Sequence, residues 1–272
     1  MSINQHINIS TYQHINYTLH LADNPLILGH RNSEWCGHGP VLEQDIAITN
    51  ISLDLIGQAR NFYQYAAEII NQSTDKPINQ LTNQPTSEDT LAYLRDARDF
   101  KNCLLVEQPN GDWAVTILRQ FFFSTYQFLL YKQFQLSYDK QLAAIAEKAL
   151  KEVTYHVRWS SEWVIRLGDG TEESHKRILK AIDDLWMFTG ELFIPASYEQ
   201  SAFEQGFGVD VASLKNEWFQ KIKSIFEEAT LPIPQEGAWM QTGGKEGRHT
   251  EHLGYILAEM QFLQRAYPGC EW

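Results

Sequence analysis

The chain reads as a single all-α domain. Apolar residues recur at a helical period over long stretches. Helix-starting Ser, Thr and Asp and helix-stopping Gly and Pro punctuate those stretches. Strand signals, by contrast, are scarce.

The elements follow in order. A first helix is predicted over Tyr17 to Cys36, stopped by Gly37-His38-Gly39-Pro40, with residues 1–16 as a loosely ordered N-terminal segment. Pro40 opens a long second helix ending near Asn71, with Ile46, Ile48, Leu53, Ile56, Phe62 and Tyr65 as its apolar positions. Residues 72–87 hold Pro77, Pro85 and many Asn, Thr and Gln, and read as a surface loop. Ser87-Glu88-Asp89 is a helix start, and a short helix is expected over Thr90 to Leu105. After the Asn110-Gly111 turn, Trp113 to Leu136 is apolar on every side, including Phe121, Phe122 and Phe123. Such a helix belongs at the centre of a bundle.

Asp139 caps a helix running to Leu167. Gly168-Asp169-Gly170-Thr171 ends it and caps the next, from Glu172 to Phe193. Residues 195–208 read as irregular. Val211 to Glu228 is amphipathic, with Leu214, Trp218, Ile222 and Ile225 on one face. Leu231-Pro232-Ile233-Pro234 and the glycine-rich Gly243-Gly244-Lys245-Glu246-Gly247 precede a last helix, Thr250 to Arg265, stopped by Pro268-Gly269. No repeat or linker divides the chain, so residues 1–272 form one domain and residues 229–272 its C-terminal tail and helix.

Composition narrows the function. A hydrophobic share of 43 % in 272 residues supplies a large core. The net charge of -12 argues against nucleic acid, whose binding needs clustered Lys and Arg. Cys36, Cys103 and Cys270 are widely spaced and form no C-x-x-C, which fits a reducing cytoplasm and offers neither a zinc ribbon nor a disulfide framework. The polar start lacks the charged and apolar regions of a signal peptide, and no apolar run approaches the ~18 residues of a membrane span. A cytoplasmic protein without a membrane partner is expected. Nucleotide-binding glycine loops and G-x-S-x-G are absent.

Lys151-Glu152-Val153-Thr154-Tyr155-His156 is the most informative stretch. Di-iron carboxylate bundles take a Glu-x-x-His pair from each of two helices and a Glu from each of the other two. Here the histidine follows four residues after Glu152, still on one helix face but off the standard spacing. True Glu-x-x-His occurs twice, at Glu172/His175 in the first turn of a helix and at Glu246/His249 in a glycine-rich loop. Neither sits mid-helix, where a bundle site needs it. On the long helices, Glu34, Glu43, Asp45, Asp54 and Glu152 are acids placed to point inward, whereas the apolar third helix has none after Trp113. The site is therefore expected to be degenerate, around Glu34, Asp54, Glu152 and His156. Hydrogen bonds and ion pairs are expected to replace metal, with Arg31, Arg60, Arg119, Lys151 and Arg158 as candidate partners.

Several strings together resemble one family. They are Leu28-Gly29-His30-Arg31-Asn32-Ser33-Glu34-Trp35-Cys36-Gly37-His38, Asn50 to Asn61, Leu105-Val106-Glu107-Gln108-Pro109-Asn110-Gly111, Lys151-Glu152 with Tyr155-His156, Leu185-Trp186 with Phe188-Thr189, and Thr242 to Gly254 followed by Ala258-Glu259-Met260-Gln261. The chain resembles the PaaC-type subunits of bacterial phenylacetyl-CoA epoxidases over roughly residues 18 to 268. That resemblance implies a ferritin-like helical bundle and a degenerate member of the di-iron carboxylate family. It implies a non-catalytic, structural subunit without a cofactor of its own. The di-iron centre is then expected in a homologous catalytic partner, and flavin and an iron-sulfur cluster in a reductase. The complex would use O2 to convert phenylacetyl-CoA to its ring 1,2-epoxide in aerobic phenylacetate breakdown.

Within this reading, Lys245, Arg248, His249 and His252 are candidates for contact with the partner or with the anionic CoA. A capping and loop-ordering network is the plainer role for the same four. The tryptophans, including Trp35, Trp159, Trp163, Trp186, Trp218 and Trp239, suit an interface as well as a core. Two alternatives stand beside the scaffold subunit. One is a self-sufficient di-iron oxidase with Glu34, Asp54, Glu152 and His156 as atypical ligands. The other is a ferritin-like homodimer outside phenylacetate metabolism.

Overall fold

The distribution of apolar residues makes eleven α-helices, seen in a computed structural model that describes residues 9–73, 85–235 and 237–270. The long ones are α1 (Ile9–Ser33) and α2 (Leu42–Ser73). Two short helices, α3 (Glu88–Tyr93) and α4 (Leu104–Glu107), lead to α5 (Trp113–Phe134) and α6 (Lys140–Gly168). Then follow α7 (Glu172–Leu185), α8 (Ser197–Glu204), α9 (Lys215–Glu228), α10 (Glu251–Met260) and α11 (Phe262–Ala266). No strand occurs among the described residues, and no helix there is long and apolar enough to cross a membrane.

The four long helices form the bundle. Antiparallel α1 and α2 meet closely where Gly29 faces Ser52, Leu55 and Ile56. Antiparallel α5 and α6 meet at Ser124 and Ser160, whose hydroxyls are 3.4 Å apart. Along the α2–α6 contact, Gln44 accepts from the indoles of Trp159 and Trp163 at one end, and Tyr65 donates to Asp139 at the other. The long connection from α2 to α5 makes α2 and α5 parallel, the crossover topology of ferritin-like bundles. Helix α5 buries 17 of its 22 residues, as a helix apolar on every side must.

Several boundaries differ from the sequence reading, each for a tertiary reason. The stretch Ile9–Asn16 is helical, not loose, because it is anchored: Ser10 donates to Gln205, and the His14 ring lies 4.4 Å from Phe207. Residues 1–8 and most of the predicted 72–87 loop lie outside the described residues. The predicted Thr90–Leu105 helix breaks because Asp23 and Asn24 of α1 take the backbone N–H groups of Lys101 and Cys103. Helix α7 stops at Leu185, and the chain continues as short 3-10 turns around Gly190, which sits against Met240. Helix α8 lies within the stretch read as irregular. Its N-cap is Ala196, so the side-chain signal is missing, but Glu199 reaches back to the Ala196 N–H at 2.8 Å.

The largest correction concerns α2. Ile48 and Phe62 line the core as expected, together with Ile51 and Leu55. Ile46 and Leu53 instead face outward, 53 % and 63 % exposed. The helix is apolar on two faces, and the bundle uses one. The tryptophans go the other way: Trp159, Trp186 and Trp218 are buried, Trp35 and Trp163 pack on the core, and Trp239 is the exposed one among the six.

Candidate functional site

Two polar clusters interrupt the apolar core. The first is a ladder between α2 and α6, where residues four apart on one helix face residues four apart on the other. His156 Nε2 lies 3.0 Å from Asp54 Oδ2. One turn away, Gln58 Nε2 donates to Glu152 Oε2 at 2.9 Å. The Gln58 carbonyl oxygen accepts from Gln127 Nε2 of α5 at 3.0 Å, and Gln127 also donates to Tyr131 Oη at 2.9 Å. His156 is fully buried, whereas the Asp54 side chain is 35 % exposed. Burial pushes the Glu152 carboxyl above its usual value, Gln58 opposes this by donating to the ionised form, and nearby Asp54 adds to the rise.

A di-iron centre asks for carboxylates from α1 and α5 as well. At the level of the ladder, α1 is Leu26-Ile27-Leu28-Gly29, and α5 supplies Ser124 and Gln127. Glu34 is at the end of α1 and is taken by Arg31 and Asn110, both at 2.8 Å. Of the four residues expected to share a degenerate site, three meet and Glu34 does not. Among the described residues no group of three or more His, Cys, Asp and Glu is disposed to hold a metal. The donor set present does not fit a di-iron pair.

Of the expected basic partners, Arg31 pairs with Glu34, and two others lie away from the ladder. Arg60 pairs with Glu88, and Arg119 donates to the Gln108 carbonyl and Asn110. Burial, with Arg31 nearby, lowers the Arg119 guanidinium to about 9. One neutral amide, Gln58, takes the place beside Glu152 and is itself held by Gln127. Gln58 and Gln127 escaped the sequence reading, although a glutamine in the middle of the buried α5 was a signal for them.

The second cluster is a latch that fastens the C-terminal tail with buried carboxylates. Glu107 accepts from Thr250 N (2.6 Å), Thr250 Oγ1 (2.8 Å), His249 Nδ1 (2.8 Å) and Asn102 Nδ2 (2.9 Å). Glu191 accepts from the backbone N–H of Leu104 and of Gly243, both at 2.7 Å. Glu199 pairs with Lys245 Nζ at 2.9 Å and with His20 Nε2 at 3.3 Å. Beside them Asp23 receives Arg95, Tyr63 and the Lys101 N–H. Burial would raise the Glu199 carboxyl, but Lys245 and His20 hold it at about 2. Burial would lower His249, but its bond and charge contact with Glu107 raise it, and its Nε2 faces the Phe100 carbonyl at 3.0 Å.

The four tail candidates therefore separate. Lys245 and His249 point inward as parts of the latch. Arg248 is exposed and pairs with Glu246 at 2.6 Å. His252 is half-buried, and its carbonyl takes a 3.4 Å contact from Arg31. The true Glu-x-x-His pairs bind nothing jointly: His175 Nδ1 caps the Gly168 carbonyl at 2.6 Å, and Glu246 and His249 have the separate partners just given.

The crossover bundle, with its amide ladder between α2 and α6, defines a ferritin-like helical protein. The chain matches the family described as phenylacetic acid catabolic protein over residues 1–272 and belongs to it. It is 49 % identical over 256 residues to the C component of the 1,2-phenylacetyl-CoA epoxidase of Escherichia coli (strain K12), covering 94 % of this chain and 98 % of that protein.

Proposed function

We propose that the chain is a subunit of a phenylacetyl-CoA 1,2-epoxidase that pairs with a homologous di-iron catalytic subunit and supports it without carrying the metal. The observation that carries this reading is the ladder itself. Asp54 pairs with His156, Gln58 links Glu152 to Gln127, and α1 and α5 bring no carboxylate to them. The likeness to a component of such an epoxidase supports the same complex. In this role the bundle acts by stiffness: a scaffold must hold its shape while the partner excludes water from its own chemistry. Contact with the partner or with the CoA ester falls to Arg248 and His252, the tail candidates that reach the surface. Electrons would come from a reductase carrying flavin and an iron-sulfur cluster, and the assembly would be cytoplasmic.

The test is to purify the chain from iron-supplemented cells, alone and co-expressed with an epoxidase catalytic subunit. Iron by elemental mass spectrometry should be substoichiometric in the chain alone, and the two chains should co-purify. Ring epoxidation should require the catalytic subunit and the reductase. Stoichiometric iron that disappears in Glu152→Ala would replace this reading with the self-sufficient oxidase.

A further inference from the structure

The C-terminal chain beyond Gly247 is built like a strap. Gly247 lies in the left-handed region (φ +80°), and a Cβ there would meet the Arg98 carbonyl oxygen at 2.3 Å, so the bend requires glycine. Before the bend, Lys245 on Glu199 and the Gly243 N–H on Glu191 fix the chain. After it, α10 buries Leu253, Ile256 and Leu257 on the side of α1 and α4 and turns Gly254, Tyr255, Ala258 and Glu259 to solvent. The far end is held by Gln261, which donates to the Ala92 and Arg95 carbonyls.

The clasp is at the foot of α10. Glu107 of α4, wholly buried, accepts from the Thr250 N–H and hydroxyl and from His249 Nδ1. The other ring nitrogen, His249 Nε2, lies 3.0 Å from the Phe100 carbonyl oxygen. Both neighbours are acceptors, and a neutral imidazole has a single N–H. The two contacts are both hydrogen bonds only when the ring is an imidazolium cation. His20 supplies the contrast. Its Nδ1 meets the Lys101 carbonyl at 2.7 Å, and its Nε2 lies 3.3 Å from Glu199, which Lys245 already compensates. A neutral His20 keeps its short bond by donating from Nδ1. A neutral His249 instead sets a lone pair against a carbonyl and leaves buried Glu107 with uncharged donors.

The other charges around the His249 ring are engaged elsewhere. Asp23 of α1 is bonded to Arg95, whose guanidinium lies 4.2 Å from the centre of the Phe100 ring. Arg31 of α1 donates to the Glu107 carbonyl and pairs with Glu34. On the strap's own segment Lys245 is on Glu199 and Arg248 on Glu246, while Glu251 is exposed and His252 half-buried. Burial alone would discharge the His249 ring, but its bond to Glu107 outweighs this and raises it above its ordinary value of 6.5.

From the placement of His249 between two acceptors at the foot of a glycine-hinged helix, we propose that residues 248–266 are a pH-sensitive strap, closed while the ring is doubly protonated and loosened when it is neutral. Fastening is complete below about pH 6.5 and is lost as pH rises through the raised folded value. The moving part is the strap and not the connection beneath it. Lys101 and Cys103 stay tied to α1 through Asp23, Asn24 and His20, none of which needs the His249 proton. Opening turns Leu253, Ile256 and Leu257 to solvent. The strap is a property of the single chain and needs no partner.

The test titrates the full chain from about pH 5.5 to about pH 9, a range that brackets histidine. Long-range 15N NMR of the imidazoles reads the protonation of His249, and amide hydrogen exchange, corrected for the intrinsic rate at each pH, reads opening. The ring should carry protons on both nitrogens in acid. As it loses one, protection of the Thr250 and α10 amides should fall by about tenfold, the effect of one pKa unit. The Lys101 and Cys103 amides and those of α5 should keep theirs. His249→Gln should leave α10 weakly protected at every pH. Thr250→Val, which removes a bond to Glu107 without a titrating group, should lower protection and keep its pH dependence. The wild-type titration decides by itself if a variant does not fold. A neutral ring beneath a protected α10, protection that stays flat as the ring titrates, or loss of the Lys101 and Cys103 amides in step with α10 would each overturn the strap.

Discussion

The latch and the ladder solve one problem in opposite ways. Both bring carboxylates into the packed helices, the latch wholly and the ladder partly out of water. In the latch, Glu107, Glu191 and Glu199 are surrounded by N–H groups and cations, and the Glu199 carboxyl is held at about 2. In the ladder, Glu152 has one neutral amide donor, and its carboxyl is pushed up. The latch makes a buried negative charge into a fastening. The ladder leaves its charge partly uncompensated and keeps Asp54 partly in solvent. Breaking the latch should therefore unfasten the tail, whereas neutralising the ladder should cost little.

The sharpest break is Lys245→Met. It leaves buried Glu199 with only His20 and the Ala196 N–H, and losing one partner of a buried pair costs about 3–5 kcal/mol. Urea denaturation of variant and wild type measures it. A loss under about 1 kcal/mol, the size of a surface substitution, would mean that the tail is fastened by its apolar residues Leu253, Ile256 and Leu257 instead. The acid limb of the stability curve reports the same pair without mutation. The Glu199 carboxyl lies below its ordinary value, so its contribution is complete above about pH 4.5 and disappears as pH falls toward 2. That fall is worth on the order of 3 kcal/mol.

Next in size is Glu191→Gln. The carboxylate accepts N–H groups on both oxygens, from Leu104 on one and from Gly243 on the other. An amide must turn its NH2 toward one of them, leaving a donor against a donor, at a cost of about 2 kcal/mol. Hydrogen exchange should show the Gly243 and Leu104 amides opening ahead of the bundle.

His249 gives a smaller effect of opposite pH sense. Its folded value lies above 6.5, so its pairing with Glu107 contributes fully below that pH and is lost as pH rises through the folded value. His249→Gln should flatten the alkaline limb of a thermal-melting profile and leave the acid limb, set by Glu199, in place.

How much of this was legible depends on whether a residue answers to its own helix or to a distant one. The caps at Ser87, Asp139 and Thr171 were readable because each bonds to its own first turn. The buried α5 was readable from composition alone. The pairing of Asp54 with His156 spans 102 residues, yet both were candidates, because a polar residue on an apolar helix face announces itself. Of the latch, Lys245 and His249 were readable as members of a loop-ordering network, but the carboxylates that receive them were not. Glu107, Glu191 and Glu199 stand in short helices and turns, where an acid carries no periodic signal, and their partners in the tail are 46 to 143 residues away. The two faces of α2 were merged into one for a related reason. A period identifies apolar stripes but cannot say which stripe meets the core.

The smallest effect is the most discriminating for the ladder. In Glu152→Gln the new amide can present its oxygen to Gln58 Nε2, so the bond to α2 survives. A partly buried charge beside Asp54 is removed. Because the Glu152 carboxyl lies above its ordinary value, its ionisation opposes folding, and stability that is complete below about pH 4.5 is lost as pH rises through the folded value. Wild type and variant should thus melt together in acid. At neutral pH the variant should melt at an equal or slightly higher temperature, with a difference within about 1 kcal/mol. A metal ligand would behave otherwise: its loss would lower both melting temperature and iron content. A clear destabilisation of Glu152→Gln accompanied by loss of iron would show that the ladder is a metal site after all, and the contrast with the latch would fall.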